Sequence, residues 1–368
     1  EQKLPPHQMP QVQIKGTTFV VDDFKSRPEG ACHLLSHFHT DHYQGILKKM
    51  RVYASPLTCQ LVGAHFKCET QALPLNLPFE IRIKVLVTAI PANHCPGAVM
   101  FLLEDLWEKK LYLFTGDFKY DLQQLECQSW SCIKGVHKLF VDSTYLATKT
   151  RLEAQAKTVQ NILGALKQHF VPGRTKVICQ TYSVGKERVF EQIARELKIK
   201  FYSTSKTRVQ SLKTIYGAGY DALFTDQDND LGVLDALYGQ KANQFREIYK
   251  HFKKVIVVTA TGWEKSFRVQ AGPQLVQIRA PYSEHCDYDE LLGFCRMVAP
   301  KEIESIISEA DTKTLKALLQ TNKQENQIRS QLHKSRPAFE DVDVQEQAAL
   351  LAAFEKKKQV FDEIIDID

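Results

Sequence analysis

Paired cysteines are missing from this chain: nine Cys stand in 368 residues, an odd number, and no two are spaced C-x-x-C. That absence removes both a disulfide framework and a thiolate zinc ribbon as organising devices, and it fits a reducing interior. Long apolar runs are missing too. The apolar stretches are short, Val255 to Val258 among them, whereas a membrane span needs ~18 to 20 such residues. Glu1 to Pro10 has neither a basic region nor an apolar one, so it does not read as a signal peptide. Internal repeats and low-complexity tracts are also lacking. What remains is 43% hydrophobic and 25% charged, close to an average globular composition and, at roughly 150 residues per domain, long enough for two or three units.

The net charge of +5 is unevenly placed. Residues 151–270 carry +9 and residues 331–368 carry −4, and the rest sums to zero. A basic internal segment suits a polyanion, although solvated Lys and Arg on helix surfaces give the same count.

From Gln11 to Phe114 the pattern is mostly strand. Thr17 to Val21, Cys32 to Ser36, Ile81 to Ile90, Val99 to Leu103 and Lys110 to Phe114 are short and apolar or alternating. The polar stretch Glu104 to Lys109 joins the last two as a hairpin. After a strand at Lys138 to Val141, helix and strand alternate. Val159, Ile162, Leu163, Leu166 and Phe170 share a face of a helix over Leu152 to Phe170, and Val189, Phe190, Ile193 and Leu197 share a face of a second over Glu187 to Leu197. Strands are expected at Lys176 to Gln180, Lys254 to Val258 and Leu275 to Ile278, with a loop from Gly262 to Pro273. The tail from Asn322 is polar and then amphipathic, through Leu350, Leu351, Phe354, Phe361, Ile364 and Ile365.

The densest chemical signal is His37-Phe38-His39-Thr40-Asp41-His42, directly after an apolar strand. Residues i and i+2 of an extended segment face the same way, so His37 and His39 can reach one metal. A turn at Thr40 sends Asp41 and His42 toward a second position. A tetrahedral zinc site needs further N or O donors at strand ends. His94 precedes one strand and Asp117 follows another, with Gly97 and Gly116 beside them. A separate anion site is conceivable at Ser183-Val184-Gly185-Lys186, where helix-terminal N–H groups, a hydroxyl and an ammonium could meet one phosphate; an ordinary capped helix with an exposed Lys is the competing reading.

This order, HxHxDH, then His94, then Gly116-Asp117, resembles the metallo-β-lactamase superfamily. Asp22 matches its early supporting aspartate. Ala92-Asn93-His94-Cys95-Pro96-Gly97-Ala98, Val141-Asp142-Ser143-Thr144-Tyr145, Thr181-Tyr182-Ser183-Val184-Gly185-Lys186-Glu187, Thr261-Gly262-Trp263 and Pro281-Tyr282-Ser283-Glu284-His285 narrow the likeness. They resemble the DNA cross-link repair nucleases of the β-CASP group, relatives of Apollo, Artemis and yeast Pso. The likeness runs from Thr17 to about Ser308. It implies an α/β fold, an αββα sandwich with an inserted α/β β-CASP domain: 1–150 and 271–320 as the sandwich and 151–270 as the insert; outside the likeness, the apolar spacing of the tail gives 321–368 as a helical extension.

The resemblance also implies roles. His37, His39, His94 and Asp117 would bind a first zinc. Asp41, His42 and His285, with Asp117 bridging, would bind a second ion, zinc or else magnesium or manganese. Such a metal brings the pKa of its water from 15.7 to about 7, and Asp41, His42, Asp117 and His285 become the catalytic set, with Asp41 orienting the nucleophile. Asp142, Ser143, Ser183, Gly185, Lys186 and Ser283 would line a pocket for a terminal 5′-phosphate. Ile307 replaces a valine common in DNA-acting members. Cys286 and Asp287 stand where relatives commonly carry two serines, and Thr259-Ala260 where Arg-Pro is common, departures expected to weaken substrate grip. The implied protein is a nuclear 5′-to-3′ DNA exonuclease acting on single-stranded or duplex DNA with a 5′-phosphate, in cross-link repair or end processing. An RNA-processing β-CASP nuclease and a structure-specific DNA endonuclease are the alternatives.

Overall fold

The computed structural model describes residues 10–120, 133–181, 184–226, 233–237 and 241–320. Its first compact unit is Glu1–Lys316; the expected helical tail, 321–368, lies outside the described residues. No helix among the described residues is long and apolar enough to cross a membrane.

Two sheets face one another over a common core. The first holds β1 (Gln11–Ile14), β2 (Thr17–Val21), β3 (Cys32–Leu35), β4 (Arg51–Ala54) and β5 (Glu69–Ala72) side by side in that order, parallel from β2 onward. A one-turn helix α1 (Thr40–Tyr43) follows β3, and α2 (Pro56–Phe66) covers β4 and β5. Ser55 starts α2 by accepting the Thr58 N–H on its hydroxyl, with Pro56 at the first position, where its missing N–H costs nothing.

In the second sheet β6 (Pro78–Arg82), β7 (Val85–Pro91), β8 (Val99–Asp105) and β9 (Lys110–Phe114) form an antiparallel meander; β10 (Lys138–Val141) and the last strand, Glu302–Ser305, extend it in parallel. Phe19, Val21 and Leu34 of the first sheet pack against Val87, Phe101, Phe114 and Phe140 of the second. Burying a side chain of this size is worth ~1.5 to 3 kcal/mol, so this shared layer is what holds the sheets face to face. The single strand expected over Ile81 to Ile90 is instead a hairpin. Lys84 takes a left-handed φ of 57° and gives its N–H to Glu80 Oε1, leaving Ile83 exposed at the tip.

The third sheet builds on α3 (Gln155–His169), β11 (Thr175–Thr181), α4 (Glu187–Leu197), β12 (Phe201–Ser203), α5 (Lys206–Tyr216), α6 (Tyr220–Leu223), β13 (Val233–Leu237), α7 (Ala242–Ile248), β14 (Lys254–Thr261), β15 (Arg268–Ala271) and β16 (Leu275–Pro281). Its order is β12-β13-β11-β14-β16-β15, parallel except for β15 at the edge. Strand period sorts the side chains: Val177, Cys179, Ile256, Val258 and Ala260 join α3, α4 and α5 on one face, while Ile178, Val255 and Val257 meet Phe245 of α7 on the other. Two expectations change here. The loop expected over Gly262 to Pro273 contains β15. And β16, expected beyond the boundary at 270, pairs with β14 along seven residues, so the third layer runs to Pro281; a charge count cannot see pairing. After it, α8 (Tyr288–Val298) sets Phe294 against Phe118 and Tyr120, and β17 (Glu302–Ser305) closes the second sheet.

Candidate metal centre

Six loops, each directly after the carboxyl end of a strand, supply the polar cluster. Asp22 follows β2, Ser36 to His42 follow β3, His94 follows β7, Asp117 follows β9, Asp142 follows β10, and Ser283 to His285 follow β16. Rigid strands end where the chemistry begins, which is how distant stretches of chain hold one geometry.

One atom organises the cluster. Asp117 Oδ2 lies 3.6 Å from His37 Nε2, 3.3 Å from His42 Nε2, 3.7 Å from His94 Nε2 and 3.9 Å from His285 Nε2. His39 Nδ1 lies 2.9 Å from His37 Nε2 and 3.3 Å from His94 Nε2. Donor atoms of a tetrahedral zinc, at 2.0–2.2 Å from the ion, stand about 3.3 Å apart. His37, His39, His94 and Asp117 therefore have the spacing as well as the chemistry of a zinc donor set.

The far nitrogen of every one of these rings is engaged. His37 Nδ1 gives its proton to Ser36 Oγ at 2.9 Å, and that hydroxyl donates to Asp22 Oδ2 at 2.6 Å. His42 Nδ1 donates to Asp22 Oδ2 at 3.0 Å, His39 Nε2 to the Val184 carbonyl at 2.9 Å, His94 Nδ1 to the Glu284 carbonyl at 2.9 Å and His285 Nδ1 to Asp142 Oδ2 at 2.8 Å. A ring that donates from its far nitrogen presents a lone pair from its near one, which is the arrangement that orients metal-bound histidines.

Burial drives His37 and His94 well below the ordinary imidazole pKa and lowers His39, so these rings are neutral. Burial would lower His42 and His285 as well, but Asp117 and Asp22 hold His42 well above its ordinary value, and Asp142 and Asp117 push His285 up to about 9. Against its own burial, Asp117 is held well below the carboxylate range by His42 and His285. Three neutral rings around an ionised carboxylate fit a divalent cation, which would displace the protons of the other two. Gly116 allows the approach: at φ +52°, an added Cβ would lie 2.5 Å from Ser36 Oγ.

Asp22 accepts from Ser36 and His42, and His42 and His285 gather around Asp117. Asp41 stands apart, 81% exposed, its nearest contact in the cluster being His42 Nε2 at 3.8 Å. The residues expected at the phosphate pocket are engaged with protein groups. Ser143 Oγ is buried between Ser305 and Asp311, Ser283 Oγ accepts from the Tyr145 hydroxyl and the His285 N–H, and Asp142 is spent on His285 and Thr144. The Gly185 N–H goes to Glu187, the Lys186 N–H to the Glu284 carboxylate, and the Lys186 ammonium to the Ala260 carbonyl. Burial brings that ammonium down to about 8, and burial beside Glu187 pushes Glu284 up to about 7. Two buried carboxylates beside these donors oppose an anion there. Ser183 lies outside the described residues.

The departures also change meaning. Cys286 is a packed thiol whose sulfur accepts the Tyr120 N–H, Asp287 caps α8 in a capping box with Glu290, and Thr259 donates to Gln180. None of them faces the cluster as a lost substrate contact. The basic surplus of 151–270 is partly internal: Lys176, Lys186 and Arg208 are buried, Lys176 among the rings of Tyr202, Tyr249 and Phe252, and Arg208 against Glu187. Sequence reading missed Ser36, though it abuts the histidine motif, and it missed Val184 and Glu284, whose backbone carbonyls carry no residue-type signal.

A sandwich of two facing sheets with histidines and aspartates converging at its strand ends resembles a scaffold of the metallo-β-lactamase kind. The chain resembles the DNA cross-link repair branch of that superfamily. A family described as "DNA repair metallo-beta-lactamase" matches residues 231–311. The chain is 30% identical over 352 residues to the DNA cross-link repair 1A protein of Gallus gallus, which covers 88% of this chain and 35% of that one. It is 27% identical over 327 residues to the DNA cross-link repair protein SNM1 of Arabidopsis thaliana, covering 82% and 66%, and 28% identical over 312 residues to the 5′ exonuclease Apollo of Rattus norvegicus, covering 81% and 55%. The chain thus spans between about a third and two thirds of these relatives. A crystal structure of a protein of unknown function from Enterococcus faecalis V583 shares the fold at a TM-score of 0.56 and 12% identity, over 80% of this chain and 89% of that one.

Proposed function

We propose that this protein is a metal-dependent DNA nuclease that hydrolyses phosphodiesters from a 5′ end and acts in the nucleus, in cross-link repair or end processing. The observation that carries the reading is the convergence of His37 Nε2, His39 Nδ1, His94 Nε2 and Asp117 Oδ2 within tetrahedral spacing. A divalent cation held by that set, zinc by its donor types, supplies Lewis acidity toward a phosphate and acidifies water. The chain's own part is orientation and proton handling: Ser36, Val184, Glu284, Asp22 and Asp142 fix the rings, and Asp41 accepts a proton at the open mouth. We read the third sheet and its helices as the β-CASP insert. The 5′ direction rests on the likeness to Apollo.

The test is digestion of matched single-stranded DNA and RNA, with 5′-phosphate or 5′-hydroxyl ends, by metal-loaded protein. Stepwise release of 5′-phosphorylated mononucleotides from DNA is expected, and no cleavage of either polymer would overturn the reading. A second reading, a DNA endonuclease, is favoured by one observation: Ser143, Ser283 and Lys186 are committed to internal bonds. Internal cuts with no preference for the 5′-phosphate would establish it.

A further inference from the structure

A cleft of about 740 Å³ opens beside the loop that carries His94. Its wall includes Asn93 and Cys95, the two neighbours of His94, yet none of the metal-centre side chains lines it. Leu57, Leu75, Ile90 and Pro91 make its sides apolar, and Leu75 is 44% exposed. At the edge stands Arg188. Its guanidinium donates to Asn93 Oδ1 and to Gln155 Oε1, and Gln155 is in turn fixed by donating to the Ser283 carbonyl at 2.7 Å. Among the described residues no carboxylate lies within ion-pair distance of Arg188, so two neutral amides aim a cation whose charge is not cancelled by a salt bridge.

We propose that this cleft is a nucleoside subsite: it receives the base and sugar of one nucleotide of the strand being cut, with the neighbouring phosphodiester on Arg188. The inference rests on the phosphodiesterase reading above and extends it. The volume falls within the range of small-molecule sites. Apolar sides suit the faces of a base, and a guanidinium presents paired donors to a phosphate. No aromatic ring and few base-edge partners line the cleft, so it reads the presence of a base and not its identity. A strand threaded this way lies along the His94 loop, one residue from the metal centre.

The test uses 5′-phosphorylated single-stranded oligonucleotides in which one abasic residue is moved through the first four positions. With the wild-type protein, one position is expected at which loss of the base raises KM about tenfold. Leu57→Asp, or the milder Leu57→Ser, should erase that positional penalty, and Arg188→Ala should raise KM about tenfold on intact and abasic strands alike. Zinc content and melting temperature should match the wild type in all three variants, which shows that their folds and metal centres are intact. Cleavage that is indifferent to every abasic position overturns the subsite. Failure of the wild type to cut the intact oligonucleotide overturns the phosphodiesterase reading instead.

Discussion

Asp41 and Asp117 are both carboxylates of one cluster, and their surroundings give them different work. Asp117 is buried and surrounded by imidazoles; Asp41 is open to water. Asp41→Asn should therefore lower cleavage at least a hundredfold, within the range of general-base contributions, while metal content and melting temperature stay at wild-type values; a variant that still cuts at full rate would remove Asp41 from the reaction. His33 offers a separate test by pH. It is buried against Phe24, donates to the Asp23 carbonyl, and burial lowers its pKa. The unfolded chain takes up a proton near pH 6.5 that the folded ring refuses, so stability falls as pH drops through that value. His33→Gln should reduce the loss between pH 7 and pH 5 in denaturant titrations, and His37, His39 and His94 leave a remainder. At this scale His37, His39, Asp41 and His42 were legible because donor types cluster in sequence, whereas Asp22 and His285 came only through the family resemblance. The partners of the expected phosphate-pocket residues were not legible: Ser143 and Lys186 have the right chemistry, and only packing reveals that they bond to Ser305, Asp311 and Ala260.

At the scale of elements, the segment between β11 and α4 acts as a bracket. Arg208 of α5 reaches Glu187 at 2.9 Å, Glu187 takes the Gly185 N–H at 2.8 Å, and the preceding carbonyl, of Val184, orients His39. Lys186 in the same turn is tied to Glu284, whose carbonyl orients His94. Breaking a buried pair on one side leaves an uncompensated charge. Arg208→Met and Glu187→Gln should thus weaken metal binding about 10- to 100-fold, the usual effect of losing a supporting partner, as read by competition with a chromogenic chelator; unchanged affinity would detach α5 from the centre. Strand and helix positions were readable where period was clear: β2, β9, β10 and α4 fall on their expected residues. Short polar strands such as β5 were not, since Glu69–Ala72 has no alternation and one apolar residue and is held by pairing with β4 and packing against α2.

For the whole molecule, a metal bound only by the folded chain would link to stability. Stripping with a chelator should lower the melting temperature, and returning zinc should restore it; at a free-metal level a thousand times Kd, the linkage is worth about 4 kcal/mol. Equal melting with and without metal would contradict a resident ion. DNA binding should weaken as salt rises. Lys176→Met should leave that salt slope unaltered, because its ammonium faces rings inside the third layer and not solvent; a shallower slope would put Lys176 on the DNA. The alternation of helix and strand after β10 announced this layer, but where it ends was hidden until β16 paired with β14. Its strands have one further effect. Val184 follows β11 and Glu284 follows β16, so the oxygens that steer His39 and His94 come from this layer while the rings come from the sandwich. The centre is co-owned: neither half could be excised and still aim both imidazoles, and any lineage that shed or swapped the third layer would first have had to find new acceptors for two ring protons.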